Sequence, residues 1–150
     1  MSTIHTNSSK ETLNFAKKFA KTLKGGEILG LVGDLGAGKT VFAKGLAEAL
    51  GVKENIVSPT FVIMKVYNVK SKDQPDVKKF CHIDAYRIGE NDIIGIGALD
   101  YFTRKDTISL IEWSDRIQAI LPENTKIVNI RHLGDDHREI ETNEIRNRKL

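Results

Sequence analysis

The chain contains the run Gly33-Asp34-Leu35-Gly36-Ala37-Gly38-Lys39-Thr40, which matches the pattern G-x-x-x-x-G-K-[ST] of a phosphate-binding P-loop. Residues 27–32 before this run are short and apolar, which predicts a buried strand. Residues 40–50 after it have helical spacing. A strand, a glycine loop and a helix N-terminus direct backbone N–H groups into one bend, so the sequence predicts an anion site there.

The residues of this loop are suited to different parts of a nucleotide. The glycines at 33, 36 and 38 permit backbone conformations and a close phosphate approach that a Cβ would obstruct. We expect Lys39 to reach the β- and γ-phosphates and the Thr40 hydroxyl to ligate Mg²⁺. The sequence therefore predicts a nucleotide-binding protein.

Length and composition fit one soluble domain of ordinary make-up. The 150 residues carry a net charge of +3, which argues against a dedicated nucleic-acid-binding surface. The single Cys81 excludes an intramolecular disulfide and suits a reducing compartment. No stretch approaches membrane-spanning length, and residues 1–7 lack the apolar core of a signal peptide. We expect one cytoplasmic, monomeric domain over residues 1–150, with flexible tails at 1–7 and 143–150.

The remaining elements follow from periodicity and turn signals. Ser8-Ser9-Lys10-Glu11 predicts a capping box for a helix that ends at Gly25-Gly26. Strands are predicted at 60–67 and 79–86, and the polar, lysine-rich connection between them is too short for a crossover helix, so they should be antiparallel. A helix at 92–102, a buried strand at 107–111, a short helix at 114–121 and an edge hairpin of 126–133 with 137–142 complete the chain.

These elements predict a small α/β domain. Its central sheet should be parallel near the P-loop and antiparallel elsewhere, in a P-loop NTPase-like three-layer fold.

Two carboxylates end predicted buried strands. Glu112 follows 108–111 and Asp84 follows 80–83. Strand ends beside a P-loop face the ligand crevice, so either carboxylate is a candidate to hold Mg²⁺ or to position the attacking water. The alternative for each is an ordinary strand-end acid with a local hydrogen bond.

A third candidate lies in Ser58-Pro59-Thr60-Phe61. Pro59 fixes its own φ and favours an extended Ser58. That rigidity could present the Thr60 hydroxyl to the γ-phosphate or its Mg²⁺, as a switch loop does. A plain strand entry is an equally good interpretation of this segment.

Four segments together resemble one family. Residues 33–40, Ser58-Pro59-Thr60-Phe61, His82-Ile83-Asp84-Ala85-Tyr86-Arg87 and Ile111-Glu112-Trp113 resemble TsaE (also called YjeE), in order and with compatible spacing from about Ser8 to Thr142. A P-loop match is generic, whereas the other three segments together are specific. The departures are mild: Ala85 and Phe61 replace commoner Leu and Tyr, and 68–79 is longer and more basic than the usual hairpin turn.

The resemblance implies an ATPase with weak activity alone. It would act with the TsaB–TsaD pair, which transfers a threonylcarbamoyl group made by TsaC to adenosine 37 of tRNAs decoding ANN codons. ATP would lie on 33–40 and Val41, with Mg²⁺ on Thr40 and Glu112. Asp84 would be the switch acid and Thr60 part of the switch segment. Thr12 and Arg138 are further candidates for nucleotide contact.

Other activities stay open on the sequence alone. A small-molecule kinase would need lid arginines; Arg87 and Arg104 are available, but no lid-like cluster is visible. A non-catalytic, nucleotide-gated binding module is a third possibility. The N-K-x-D element that reads guanine is absent from the chain, which disfavours a GTPase.

Overall fold

In the computed structural model, which describes residues 2–57, 59 and 62–144 apart from the Glu144 side chain, seven strands form one sheet. The strands are β1 (Ser2–Thr6), β2 (Ile28–Val32), β3 (Met64–Asn68), β4 (Lys79–Asp84), β5 (Thr107–Glu112), β6 (Lys126–Gly134) and β7 (His137–Glu144). The helices are α1 (Ser9–Ala20), α2 (Lys39–Ala49), α3 (Glu90–Gly95), α4 (Ala98–Phe102) and a kinked 3-10 helix (Ser114–Ile120).

The order of the strands is β1-β7-β6-β2-β5-β4-β3. The four central strands β6, β2, β5 and β4 are parallel, whereas β3 pairs antiparallel with β4, and β7 pairs antiparallel with both β6 and β1. The predicted mixed sheet and the antiparallel pairing of β3 with β4 are confirmed. In the β4–β5 pair, Asp84 lies opposite Glu112.

Helices cover both faces of the sheet. Leu29 and Leu31 of β2 belong to a core cluster with residues of α1 and α2, whereas Ile28 packs in a second cluster with residues of α3, α4 and the 3-10 helix. Parallel strands buried on both faces need apolar residues at successive positions. The apolar run that precedes the P-loop therefore marks a central strand, and the three-layer prediction is confirmed.

The start of α1 follows the predicted cap with one difference. The Ser8 hydroxyl accepts a hydrogen bond from the Glu11 backbone N–H at 3.1 Å, while the Glu11 carboxylate accepts from the backbone N–H of Asn7 at 2.6 Å rather than from that of Ser8. The helix ends at Ala20, before the predicted Gly25-Gly26. Among the described residues, no helix combines the length and apolar character that a membrane span requires.

The predicted tail at 1–7 needs correction, and so does the start of the tail predicted at 143–150. Residues 2–6 form β1, which pairs antiparallel with β7. The predicted edge hairpin is formed by β6 and β7, but β1 covers it, so β7 is not an edge strand. Only one apolar residue, Ile4, packs from β1 against the core, so the strand has little hydrophobic signal. At the other end β7 extends to Glu144, and 145–150 lie outside the described residues.

Three element boundaries also differ from the sequence prediction. The predicted helix 92–102 is two helices, because Gly97 has a left-handed φ of 80° between them. The strand predicted at 60–67 begins at Met64 after Ile63, whose φ is also positive, and the strand predicted at 79–86 ends at Asp84. Thr60 and Phe61 lie outside the described residues.

Candidate phosphate-binding site

The P-loop runs between β2 and α2, where the motif predicted it. Gly38 is the N-terminal cap residue of α2 and has a left-handed φ of 106°, which few residues with a Cβ adopt. At Gly33, an added Cβ would lie 2.4 Å from the backbone oxygen of Ile130 in β6. Backbone conformation thus requires glycine at position 38, and the close approach of β6 requires glycine at position 33.

Lys39, the first residue of α2, has a buried side chain that folds back onto the loop. Its ammonium donates hydrogen bonds to the backbone oxygens of Gly33 and, at 2.8 Å, Asp34, and it lies 4.0 Å from the centre of the Trp113 ring. Burial lowers the pKa of Lys39 from its ordinary value of 10.5, and nearby negative charges oppose that shift; they belong to Glu112, Asp34, Asp84 and Asp115. The ammonium therefore lies in a site rich in oxygen acceptors.

Two carboxylates lie at the carboxyl ends of adjacent parallel strands. Asp84 ends β4 and is 6% exposed, and its Oδ1 accepts a hydrogen bond from the Tyr86 backbone N–H at 2.9 Å. Glu112 ends β5 and is 3% exposed, and its Oε2 lies 2.8 Å from Nε2 of His82. Both residues line the same cavity as Lys39. The strand register thus brings together the two acids that the sequence placed only at separate strand ends.

Arg138 reaches the loop from β7. Its Nε donates to the backbone oxygen of Ala37 at 2.8 Å, and Nη2 donates to that of Gly36 at 3.3 Å. In a planar trans peptide the C=O of one residue points opposite to the N–H of the next. The bond to Ala37 therefore holds the Gly38 N–H in the direction away from the guanidinium.

The cavity beside the loop has a volume of about 600 Å³. It is lined by ten of the residues predicted for the site: Thr12, Leu35, Gly36, Gly38, Lys39, Thr40, Val41, Asp84, Glu112 and Arg138. Three further predicted residues, Gly33, Asp34 and Ala37, belong to the loop without lining the cavity; their backbone oxygens accept from Lys39 or Arg138. Thr60 lies outside the described residues.

Several neighbours of the site are not among its predicted binding and catalytic residues, although Trp113 directly follows Glu112 in the sequence. Tyr86 and Trp113 line the cavity with ring centroids 4.8 Å apart, and Arg116 lies over both rings and donates to the Tyr86 backbone oxygen at 2.7 Å. In the sequence, His82 stands out only as part of the segment His82-Ile83-Asp84-Ala85-Tyr86-Arg87 that resembles TsaE, without a role of its own. The signal for its place at the site is its spacing of two residues from Asp84, because residues i and i+2 of a strand lie on the same face of the sheet.

The donors around the cavity suit a hard divalent cation. Thr40 and Glu112 offer a hydroxyl and a carboxylate, and Mg²⁺ is commonly bound by one or two carboxylates together with substrate phosphates. Within residues 2–57, 59 and 62–144, no group of three or more His, Cys, Asp or Glu side chains could hold a metal by itself. The residues present therefore fit a cation that a nucleotide also ligates.

The sheet, the glycine loop and the acids at the ends of β4 and β5 define an α/β protein with a P-loop NTPase-like fold. Residues 6–140 match the family model described as threonylcarbamoyl adenosine biosynthesis protein TsaE. The chain belongs to the TsaE family, which is involved in the biosynthesis of tRNA threonylcarbamoyladenosine.

Relatives in two bacteria match the chain over most of their own length. The chain is 40% identical over 139 residues to the tRNA threonylcarbamoyladenosine biosynthesis protein TsaE of Bacillus subtilis, covering 93% of this chain and 83% of that one. It is 39% identical to the Haemophilus influenzae protein of the same name over 135 residues, covering 86% of this chain and 80% of the other. The crystal structure of Bacillus subtilis YdiB superposes with a TM-score of 0.78 at 36% identity, covering 98% of this chain and 87% of that one.

Proposed function

We propose that this protein is an Mg²⁺-dependent ATPase subunit that supports threonylcarbamoylation of adenosine 37 in tRNAs decoding ANN codons. The observation that carries the proposal is the convergence of Lys39, Asp84 and Glu112 on one cavity beside the P-loop. A P-loop lysine and two strand-end carboxylates are the groups that P-loop phosphoryl transfer uses for charge neutralisation and for the placement of metal and water.

ATP binding would begin with a change of partners at Lys39. Its ammonium now donates to the backbone oxygens of Gly33 and Asp34. The β- and γ-phosphates carry full negative charge and form stronger hydrogen bonds with an ammonium than neutral carbonyls do. We therefore assign Lys39 to the terminal phosphates, with the backbone N–H groups of the loop around them.

The remainder of the cavity would take the rest of the nucleotide. Its volume of about 600 Å³ lies within the usual range for small-molecule pockets, roughly 300–1,000 Å³. Thr12 and Val41 line it from α1 and α2, and Arg138 lines it from β7. We assign these three residues to contacts with ATP beyond its terminal phosphates.

We assign Thr40 and Glu112 as the protein ligands of Mg²⁺, because both residues carry side-chain oxygens and line the cavity beside Lys39. When held by Thr40 and Glu112, Mg²⁺ would supply positive charge that neutralises the charge developing on the terminal phosphates. Asp84 lies opposite Glu112 across the β4–β5 pair and is the second carboxylate available to orient a water for attack. Thr60 remains our candidate for a switch contact to the γ-phosphate.

We further propose that turnover depends on the TsaB–TsaD pair and is weak without it. Family membership supports this assignment. The net charge of +3 supports indirect rather than direct contact with tRNA. We propose a monomer when free, which acts in the cytoplasm where tRNA is modified.

The proposal is tested with γ-labelled ATP and the purified protein, alone and with TsaB, TsaD and tRNA. We expect slow release of labelled phosphate alone, faster release with the partners, and none when EDTA removes Mg²⁺. A parallel reaction with a metabolite extract separates the alternative activity, because a small-molecule kinase would give a labelled metabolite. Absence of labelled phosphate under every condition, with all partners folded, would reject the ATPase assignment.

A further inference from the structure

A buried histidine touches the site without lining its cavity. His82 lies in β4, two residues before Asp84, and its side chain is 0% exposed. Its Nε2 lies 2.8 Å from Oε2 of Glu112. Its Nδ1 has no hydrogen-bond partner among the residues that the structure describes. The imidazole therefore makes one hydrogen bond, and that bond goes to a carboxylate assigned to Mg²⁺.

Packing alone does not explain this side chain. The neighbours Phe80, Cys81 and Ile83 in β4 are fully buried and apolar, and Phe80 lies with its ring centroid 6.0 Å from that of His82. An apolar side chain would fill the same space without a buried nitrogen that lacks a partner, which is unfavourable. The polar group at this position thus contributes through its contact with Glu112.

We propose that His82 is a positioning residue for Glu112: the Nε2–H donates to Oε2 and fixes the carboxylate in the orientation that Mg²⁺ binding needs. This inference rests on the proposed function. A carboxylate has two oxygens with about four lone-pair sites, so one accepted hydrogen bond leaves the others for a cation or its water. Partners of this kind orient metal ligands, and their loss typically lowers metal affinity or activity about 10- to 100-fold.

The proposal makes a distinction between three substitutions. In His82→Gln the amide nitrogen is the same number of bonds from Cα as Nε2, so it can still donate to Glu112. In His82→Asn the amide is one bond shorter and falls short of the carboxylate. In His82→Leu the volume is kept and the donor is removed. If His82 acted only in packing, the effects of these variants would follow the shape of the new side chain. If His82 positions Glu112, the effects follow whether the new side chain has a donor that reaches the carboxylate.

The measurement is ATP affinity by calorimetry with Mg²⁺ and with EDTA, for wild type and each variant. The affinity with Mg²⁺ divided by the affinity in EDTA isolates the contribution of the metal. We expect this ratio to fall at least tenfold in His82→Leu and His82→Asn. His82→Gln should stay within about threefold of wild type, and affinity in EDTA should be unchanged throughout. Thermal melts check that each variant is folded.

The outcomes separate this inference from the proposed function. If the wild type binds ATP more tightly with Mg²⁺ and His82→Leu and His82→Asn keep that gain, the positioning role is wrong while the ATPase assignment stands. A parallel loss of affinity with and without Mg²⁺ would also overturn it, because that pattern indicates packing. If His82→Leu does not fold, the Gln and Asn variants decide. A wild type that binds no ATP would instead reject the proposed function.

Discussion

The parallel centre of the sheet and its antiparallel side contribute to the site in different ways. At the centre, β4 and β5 end beside the P-loop, and their register puts Asp84 opposite Glu112. On the antiparallel side, β7 reaches the loop through one long side chain, that of Arg138. Backbone register thus fixes the acids at the centre, while the antiparallel side supports the loop from outside. We expect chemistry to depend on the centre and loop geometry to depend on the antiparallel side.

The largest effect should come from the centre, in the variant Glu112→Ala. Removal of the carboxylate takes away the proposed metal ligand, and loss of a group aimed at transition-state charge costs about 100- to 1000-fold in rate. We expect hydrolysis with TsaB and TsaD to fall by that factor, while ATP binding in EDTA is retained. The measurements are labelled-phosphate release and calorimetry.

Glu123→Ala is the matched control, because Glu123 is exposed and does not line the cavity. It should hydrolyse ATP at the wild-type rate. Full turnover by Glu112→Ala would place the essential carboxylate elsewhere in the site and leave Asp84 as the stronger candidate.

The next largest effect should be a loss of ATP binding, in the variant Lys39→Ala. This substitution removes the ammonium assigned to the terminal phosphates, and hydrogen bonds to charged groups contribute about 1.5–3 kcal/mol each. We expect ATP affinity to fall about 10- to 100-fold by calorimetry, with and without Mg²⁺. Lys44→Ala, also in α2 but away from the cavity, is the control. Unchanged affinity in Lys39→Ala would contradict the proposed phosphate contact.

The centre could be predicted from sequence because its signals are local. The P-loop, the apolar run of β2 and the strand-end acids Asp84 and Glu112 each show within a few residues. Parallel strands buried on both faces have a strong hydrophobic signal, which makes them visible in isolation. The sequence could not give the pairing of Asp84 with Glu112, since register between strands is set by contacts far apart in the chain.

The antiparallel side, formed by β1 and β7, was predicted less well for the same physical reason. Residues 2–6 contain few apolar side chains, and pairing with β7 about 135 residues later is what makes them a strand. The contact of Arg138 with Gly36 and Ala37 depends on that long-range arrangement. At the centre, the contact of His82 with Glu112 likewise depends on the pairing of β4 with β5, although period-2 spacing from Asp84 already put His82 on the same face.

A smaller effect should come from the antiparallel side, in the variant Arg138→Ala. The guanidinium donates to two loop carbonyls, and although hydrogen bonds to charged groups contribute about 1.5–3 kcal/mol each to the folded protein, only a part of that energy is expected in ATP affinity. We expect ATP affinity to fall about 3- to 10-fold, by the same factor with Mg²⁺ and in EDTA, because the substitution affects the loop and the assigned ATP contact rather than the metal. Arg131→Ala, an exposed arginine of β6 that pairs with Glu139, should bind like wild type. A loss confined to Mg²⁺ conditions would contradict the loop-support role.

The smallest effect on binding should come from β1, in the variant Thr6→Val. The Thr6 hydroxyl lies 2.7 Å from that of Thr12, which lines the cavity, so the substitution leaves Thr12 without this partner. We expect unfolding free energy to fall by about 1 kcal/mol, a melting shift of about 2–4 °C, with ATP affinity changed less than about threefold. Thr3→Val, exposed in the same strand, should melt like wild type. A tenfold loss of affinity in Thr6→Val would mean that the outermost strand shapes the site as strongly as Lys39 does. The division between a chemical centre and a supporting antiparallel side would then be wrong.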